Sequence, residues 1–165
     1  MDFAYTDEQR QLQETLLRYI AKEYGFAARR QLALSEHGYS REHWRAFADL
    51  GILALTVPEA HGGLSGTAID TMIVMEALGR GLVLEPYLAT AVVCGGLIAD
   101  AGSAAQQAEL LPRVAGGELV LALAHHKPGR ATTSTTSPRP RAPTARATSS
   151  RAARRLSLPA RRPTA

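Results

Sequence analysis

The sequence contains very little cysteine, few aromatic residues and no long apolar run. Its 165 residues include one Cys, one Trp, five Tyr and three Phe. A single cysteine excludes an internal disulfide and a zinc cage built from several cysteines. The longest weakly polar stretch, residues 87–99, is too short to cross a bilayer as a helix, and the acidic N-terminus lacks the pattern of a secretory signal. We therefore expect a cytoplasmic protein with no membrane partner.

Acidic residues are missing altogether from the last part of the chain. Residues 130–165 carry nine Arg and no Asp or Glu, whereas residues 1–129 carry 10 Lys and Arg against 15 Asp and Glu. The formal charge of +4 is therefore the sum of an acidic body at −5 and a basic tail at +9. The tail also lacks glycine and aromatic residues, and 34 of its 36 residues are Arg, Ala, Thr, Ser or Pro. Because such a composition buries too little apolar surface to offset its ordering entropy, it predicts disorder.

Two explanations of the tail remain open. One is a functional basic arm, attracted to nucleic acid or to other anionic surfaces. The other is a reading-frame shift in GC-rich DNA, whose out-of-frame codons are enriched in these residue types. The abrupt change at residue 130 favours the frame shift, and nucleic acid is therefore not the favoured partner.

The body shows helical patterning with clear start signals. Apolar residues make up 45% of the chain, enough to form a core. Ser or Thr at Thr6, Ser40, Thr67 and Ser103 predicts the first residue of four helices, and Pro86 suits the first turn of another. A further short helix is expected over 26–34, and residues 119–124 predict a first β-strand.

Four segments of the body resemble the N-terminal helical domain of acyl-CoA dehydrogenases. Two are short: Thr-Asp-Glu-Gln-Arg at 6–10 and Met-Glu-Ala-Leu-Gly at 75–79. The segment at 50–63 contains Leu-Gly, Val-Pro-Glu and Gly-Gly, and the segment at 110–124 contains Leu-Leu-Pro-Arg and Gly-Gly-Glu. The resemblance implies an all-α helical bundle over 1–118, the start of a middle β-barrel at 119–129 and a disordered tail at 130–165.

Members of that family act in fatty acid metabolism as FAD-dependent oxidoreductases. The resemblance implies removal of hydrogen from the α and β carbons of an acyl-CoA thioester, with a glutamate as the catalytic base. That glutamate and the C-terminal helices lie outside the matching segments. We therefore expect a truncated chain that is inactive alone, with no catalytic residue of its own. Its implied partners are acyl-CoA and either further copies of itself or a partner dehydrogenase subunit.

The resemblance also implies a flavin edge at Leu123, His125 and His126. The family usually has Ala-Leu-Thr-Glu-Pro-Gly here, so His126 takes the place of the Thr and a hydroxyl contact to the flavin is lost. This departure argues against FAD binding by the chain alone. A metal pair at His125 and His126 is not expected, because adjacent residues on a strand point to opposite faces.

A substrate face is expected on the helix that follows Pro86. Tyr87, Thr90, Ala91 and Cys94 share one helical face, and the resemblance implies that this helix lines the acyl-chain pocket. The alternative is an ordinary core face, with Cys94 as a buried packing residue and not a nucleophile.

Three other features have structural interpretations. His61 is expected in a turn, the Gly-rich loop at 62–66 lacks the context of a phosphate-binding loop, and Glu76 is expected in an ion pair. A second function stays open: a non-catalytic helical module whose basic tail binds a partner or nucleic acid. An isolated domain of this kind exposes apolar surface, which favours association.

Overall fold

Helices dominate the computed structural model, which describes residues 4–124 and confirms the predicted all-α class. Two short 3-10 turns, Ile52–Ala54 and Glu59–His61, lie between the third and fourth α-helices. A π-helical segment, Leu88–Gly95, continues directly into the fifth α-helix. The α-helices are α1 (Asp7–Glu23), α2 (Phe26–Leu34), α3 (Arg41–Asp49), α4 (Ala68–Arg80), α5 (Gly96–Ala101) and α6 (Ala104–Ala115).

Residues 4–121 lie in one compact unit, and residues 122–124 belong to a second unit that begins at Ala122. None of the helices in the described range is long and apolar enough to cross a membrane. His125, His126 and the basic tail at 130–165 lie outside the described residues.

The predicted N-caps explain where the helices begin. Thr6, Thr67 and Ser103 each form a capping box with the residue three positions later, which satisfies amides that a helix start otherwise leaves without partners. Two of these boxes are joined, because Gln9 Nε2 donates to Asp70 Oδ1 over 3.0 Å. The N-terminal ends of α1 and α4 are therefore held side by side.

Acid should weaken the link between α1 and α4. Partial burial raises the pKa of Asp70, but hydrogen bonds from Thr67 and Gln9 outweigh it, so the pKa lies below its ordinary 3.8. Because the folded-state pKa is depressed, the stabilisation is present above the unfolded-state pKa and is lost as the pH falls through the folded-state pKa. We expect Asp70→Asn to cost about 1 kcal/mol at neutral pH, the usual size of a capping interaction, and almost nothing in strong acid. Urea unfolding of the wild type and the variant, from neutral pH into strong acid, measures the difference in their free energies of unfolding. A difference that stays the same at every pH would contradict the stabilising role of the ionised Asp70.

The core forms between α1, α3, α4 and the segment after α3. Trp44 and Phe47 of α3 are buried, whereas Leu50 at the end of this helix is exposed. Gly51 follows this helix in the left-handed conformation, with φ of 75°. The completely buried side chains of the core include Leu16, Phe47, Ile52, Leu53, Val57, Ile73, Val74, Leu111 and Val114.

The predicted β-strand at 119–124 is not formed within the described residues. A strand needs a neighbouring backbone for its hydrogen bonds, but here the Leu119 amide donates to the Arg113 carbonyl at the end of α6 and the Leu121 backbone bonds to a side chain. Thr90 Oγ1 donates to the Leu121 carbonyl over 2.9 Å and accepts from the Leu121 amide over 3.1 Å. The prediction was wrong here because an apolar run cannot show what its backbone groups contact.

Candidate functional site

The π-helical segment Leu88–Gly95 is the most unusual local structure in the domain. The sequence predicts an ordinary helix here, whereas the structure has the wider turn of a π-helix. π-helical turns are rare and occur often at functional sites. Thr56 Oγ1 donates to the Ala91 carbonyl over 2.8 Å, so a side chain from outside the segment helps to hold its backbone.

The four predicted substrate residues all lie on the inner side of this segment. Tyr87, Thr90, Ala91 and Cys94 are buried, so the structure brings them together on one face, directed into the domain. Burial raises the pKa of the Cys94 thiol, which keeps it protonated and fits a packing residue better than a nucleophile. Thr90 is already engaged with Leu121. Within the described part of the chain, this inner face therefore packs in the way expected of an ordinary core face.

The outer side of the same segment is apolar and exposed. Leu88, Val93 and Leu97 are exposed and follow one another at spacings of five and four residues, which places them on one side of a π-helix that continues as an α-helix. The sequence does not distinguish them from the inner face, because every residue of 87–98 is apolar or small except Thr90. We call Leu88, Val93 and Leu97 the outer stripe.

A buried carboxylate holds the start of the segment. Glu85 is 6% exposed; its Oε1 accepts from the Ser40 amide over 3.1 Å, and its Oε2 accepts from the Tyr24 hydroxyl. That hydroxyl also accepts from the Leu84 amide over 3.2 Å. Glu85 therefore links the end of α1, the N-cap of α3 and the entry to the π-helical segment. Sequence reasoning missed this residue, although an acidic side chain between Leu84 and Pro86 was the available signal.

Aromatic side chains lie next to the group formed by Glu85, Ser40 and Tyr24, which we call the Glu85 cluster. The His43 ring lies 5.1 Å from the Tyr24 ring between centroids, and Tyr19 Oη lies 2.7 Å from His43 Nδ1. Burial, followed by the hydrogen bond to Glu85, raises the pKa of Tyr24. Burial and the nearby Glu23 raise the pKa of Tyr19 to about 12. Both phenols stay protonated at neutral pH, so these two side chains supply hydrogen bonds and packing.

A cavity of about 330 Å³ opens beside the connection from α4 to the π-helical segment. The buried Tyr87 lines it, and the Tyr87 hydroxyl has no hydrogen-bond partner among residues 4–124. Burial raises the pKa of Tyr87, so this hydroxyl keeps its proton. The lining residues are Arg29, Met75, Leu78, Gly79, Leu82, Val83, Leu84, Glu85, Tyr87 and Leu88.

The rim of this cavity has a left-handed residue where a helix ends. The amides of Leu82 and Val83 bond to the Gly79 and Leu78 carbonyls, the pattern of a Schellman motif. Its left-handed position usually holds glycine, but here it is Leu82, with φ of 49°. Arg29 Nε donates to the Leu82 carbonyl over 2.7 Å, which holds this strained residue in place.

The predicted flavin edge lies mostly outside the described residues. Of the three predicted contacts only Leu123 is described, and it is 44% exposed. The Gly-rich loop offers no phosphate cradle, because all five amides from Gly62 to Gly66 donate to carbonyls of the preceding segment, at residues 54, 55, 57, 58 and 59. Within the described residues, no group of three His, Cys, Asp or Glu side chains could hold a metal.

Two further predictions concern structural roles, and the structure confirms both. His61 ends the short 3-10 turn Glu59–His61. Glu76 forms an ion pair with Arg80 one turn later on α4, with 2.6 Å between Oε1 and Nη2. Neither side chain belongs to the Glu85 cluster or lines the cavity.

Comparison with known proteins identifies similar sequences over the helical part. The family model described as acyl-CoA dehydrogenase, N-terminal domain, matches residues 6–118. Acyl-CoA dehydrogenase IpdE2 of Mycobacterium tuberculosis is 39% identical over 117 residues, which cover 70% of this chain and 37% of that protein. The mitochondrial isovaleryl-CoA dehydrogenase of Pongo abelii is 30% identical over 125 residues, which cover 74% of this chain and 30% of that protein.

A solved structure shares the fold. The crystal structure of the ChsE4–ChsE5 complex from Mycobacterium tuberculosis matches with a TM-score of 0.68 and 30% identity. The match covers 74% of this chain and 34% of the compared chain. The chain thus spans about a third of the length of these relatives.

Proposed function

The chain belongs to the acyl-CoA dehydrogenase family, and we propose that it forms the helical N-terminal domain of an FAD-dependent enzyme acting on an acyl-CoA thioester. The reaction class is removal of hydrogen from the α and β carbons, for which FAD, when bound, supplies the electron acceptor. The match of residues 6–118 to the family's N-terminal domain carries this proposal. Because the chain spans 37% of the length of IpdE2, the activity is proposed for the complete enzyme and not for these residues alone.

We assign no step of the chemistry to the described residues, since two of the three implied flavin contacts, His125 and His126, lie outside them. Their proposed part is to form one wall of the acyl-group site. The π-helical segment offers two faces for this part: the inner residues Tyr87, Thr90, Ala91 and Cys94, and the outer stripe. The inner residues set how the segment packs, with Thr90 held by Leu121. The outer stripe has apolar side chains exposed for contact with an acyl chain or a neighbouring domain.

Leu123, His125 and His126 remain the proposed flavin edge of the complete enzyme. In this proposal residues 119–129 lead into the barrel domain. Exposed apolar side chains such as those of the outer stripe are expected to be covered by the other domains, by another copy or by a partner dehydrogenase subunit. The similar ChsE4–ChsE5 structure is a complex of two named components, which supports considering a partner subunit.

A chimera tests the proposal directly. Residues 1–118 of this chain would replace the corresponding domain of IpdE2, and the purified protein would be assayed for bound flavin by its absorbance. We expect the chimera to retain FAD and to show flavin bleaching with at least one member of a panel of linear, branched and cyclic acyl-CoA thioesters. The matched control is IpdE2 without its N-terminal domain, which should not be bleached.

Two results bear on these interpretations: the first would contradict the proposal, and the second would remove the frame-shift explanation of the tail. One is a folded, FAD-containing chimera that no thioester in the panel bleaches, although intact IpdE2 is bleached under the same conditions. The other comes from the coding DNA near codon 130, where the frame-shift explanation expects barrel-like alternation in another reading frame. Absence of that alternation from both other frames would remove the frame-shift explanation.

A further inference from the structure

We propose that residues 25–38, which include α2, open as one unit while the chain on either side of them stays fastened to the domain. We call residues 25–38 the α2 strap. Its opening separates α2 from the connection at 82–84, which Arg29 contacts in the closed form. The test requires neither flavin nor CoA, so this inference and the proposed function can fail separately.

Both ends of the α2 strap are fixed by one buried carboxylate. The Tyr24 hydroxyl, directly before the strap, donates to Glu85 Oε2, and the Ser40 amide, two positions after the strap, donates to Glu85 Oε1. Gly25 and Gly38 lie between these two anchors and α2, and a Cβ at either glycine would meet no heavy atom within 4 Å. The backbone therefore has room to turn at both points, as the hinges of a moving segment require.

The α2 helix has little intrinsic stability. It has nine residues, and its N-cap Gly25 forms no side-chain hydrogen bond to the first turn. Its first turn also contains no acidic residue, whereas α1, α3 and α4 each have one or more there to complement the helix dipole. Because helices of this length are marginal without tertiary packing, α2 depends on its contacts with the rest of the domain.

Those contacts are few, as a comparison with α3 shows. The two helices have the same length, but α3 begins at the capping residue Ser40 and buries Trp44 and Phe47. Within the described part of the chain, α2 buries none of its side chains, and Phe26 and Leu34 at its two ends are 80% and 73% exposed. Segments with few buried apolar contacts open at a low free energy, so α2 should open far more readily than α3.

A single side-chain hydrogen bond holds the middle of the strap closed. Leu32 is half-buried and packs against the core, and Arg29 Nε donates to the Leu82 carbonyl over 2.7 Å. Among residues 4–124, this is the hydrogen bond that joins α2 to a distant part of the chain. It is exposed, and it holds Leu82 in a left-handed conformation that is unfavourable for leucine. The bond therefore stabilises the closed form only modestly.

Hydrogen exchange of the full chain, followed for each amide by NMR, measures the opening. We expect the protection factors of the α2 amides to be at least about tenfold lower than those of α3. They should be similar along residues 30–34, because these amides are released in one opening, whereas fraying would give a gradient from the ends. The Ser40 amide should keep the protection of α3, because Glu85 holds it when the strap opens.

Arg29→Met tests the closing contact. Methionine keeps an apolar stem and a similar helix propensity but cannot donate to the Leu82 carbonyl. We expect it to lower the protection of α2 about fivefold, as the loss of one hydrogen bond should, and to leave α3 unchanged. Arg30→Met is the matched control, because Arg30 is exposed on the same helix, and it should leave the protection of both helices unchanged.

A change in the opposite direction is expected when the missing cap is supplied. Gly25→Asp provides an N-cap oxygen, and Gly25→Ala adds a Cβ without one, so α2 should be about fivefold better protected in the first variant than in the second. Any of three results would overturn the inference: protection of α2 equal to that of α3, no effect of Arg29→Met on α2, or loss of protection at Ser40 together with α2.

Discussion

Gly63→Ala is expected to lower the free energy of unfolding by about 3 kcal/mol or more, the upper range for an overpacked interior. A Cβ at Gly63 would overlap the carbonyl group of Val57 and lie 2.5 Å from the Val57 Cβ. Because most of these atoms are backbone, no side-chain rotation relieves the overlap. The Gly-rich loop must then move away from the buried segment at 52–57. Urea unfolding of the full chain measures the loss.

Gly62→Ala is the matched control for this substitution. Gly62 has φ of 79°, and no heavy atom lies within 4 Å of the position that a Cβ would take. An alanine there therefore meets only the left-handed backbone cost of about 1–2 kcal/mol. Comparing the two variants separates the effect of close packing on stability from the effect of backbone conformation. Equal losses at both positions would show that Gly63 does not lie against Val57 as described.

Glu85→Ala is expected to lower the free energy of unfolding by about 3 kcal/mol, because hydrogen bonds to a buried charged group contribute about 1.5–3 kcal/mol each. The substitution leaves the Ser40 amide and the Tyr24 hydroxyl without their acceptor. It also removes the link between α1, α3 and the π-helical segment. The loss should appear in urea unfolding and as faster hydrogen exchange in the amides of the π-helical segment.

Two control variants make the Glu85 result interpretable. Glu85→Gln keeps an oxygen acceptor and the shape of the side chain, so it should recover at least half of the loss. Glu109→Ala removes an exposed carboxylate from α6 and should change stability by no more than about 0.5 kcal/mol. If Glu85→Ala were as mild as Glu109→Ala, the cluster would contribute nothing to holding the segment.

The helix starts could be predicted because their causes are local. A capping box joins residues only three positions apart, so Thr6, Thr67 and Ser103 carry the information in adjacent letters. The left-handed position at Gly51 is equally local, since glycine adopts it without steric cost. The left-handed conformation of Leu82 could not be predicted in this way, because leucine is unfavourable there and is held by Arg29 from α2.

The candidate site was predicted only in part. The sequence indicated that Tyr87, Thr90, Ala91 and Cys94 share a face, and the structure places them together. It did not indicate whether that face points inward, because both faces of the segment are apolar and helical spacing alone cannot distinguish them. The cavity depends on Arg29, which lies more than fifty residues before Tyr87, and no local pattern connects the two.

The family, the all-α class, the caps and the division into an acidic body and a basic tail could all be inferred before the fold was known. Each of these follows from composition or from residues within a few positions of one another. Three features became visible only in the folded chain: the π-helical form of Leu88–Gly95, the burial of Glu85 and the absence of a strand at 119–124 among the described residues. These features depend on hydrogen bonds between residues 31 to 61 positions apart, such as Thr90 with Leu121 and Tyr24 with Glu85, and only the folded chain brings such groups together.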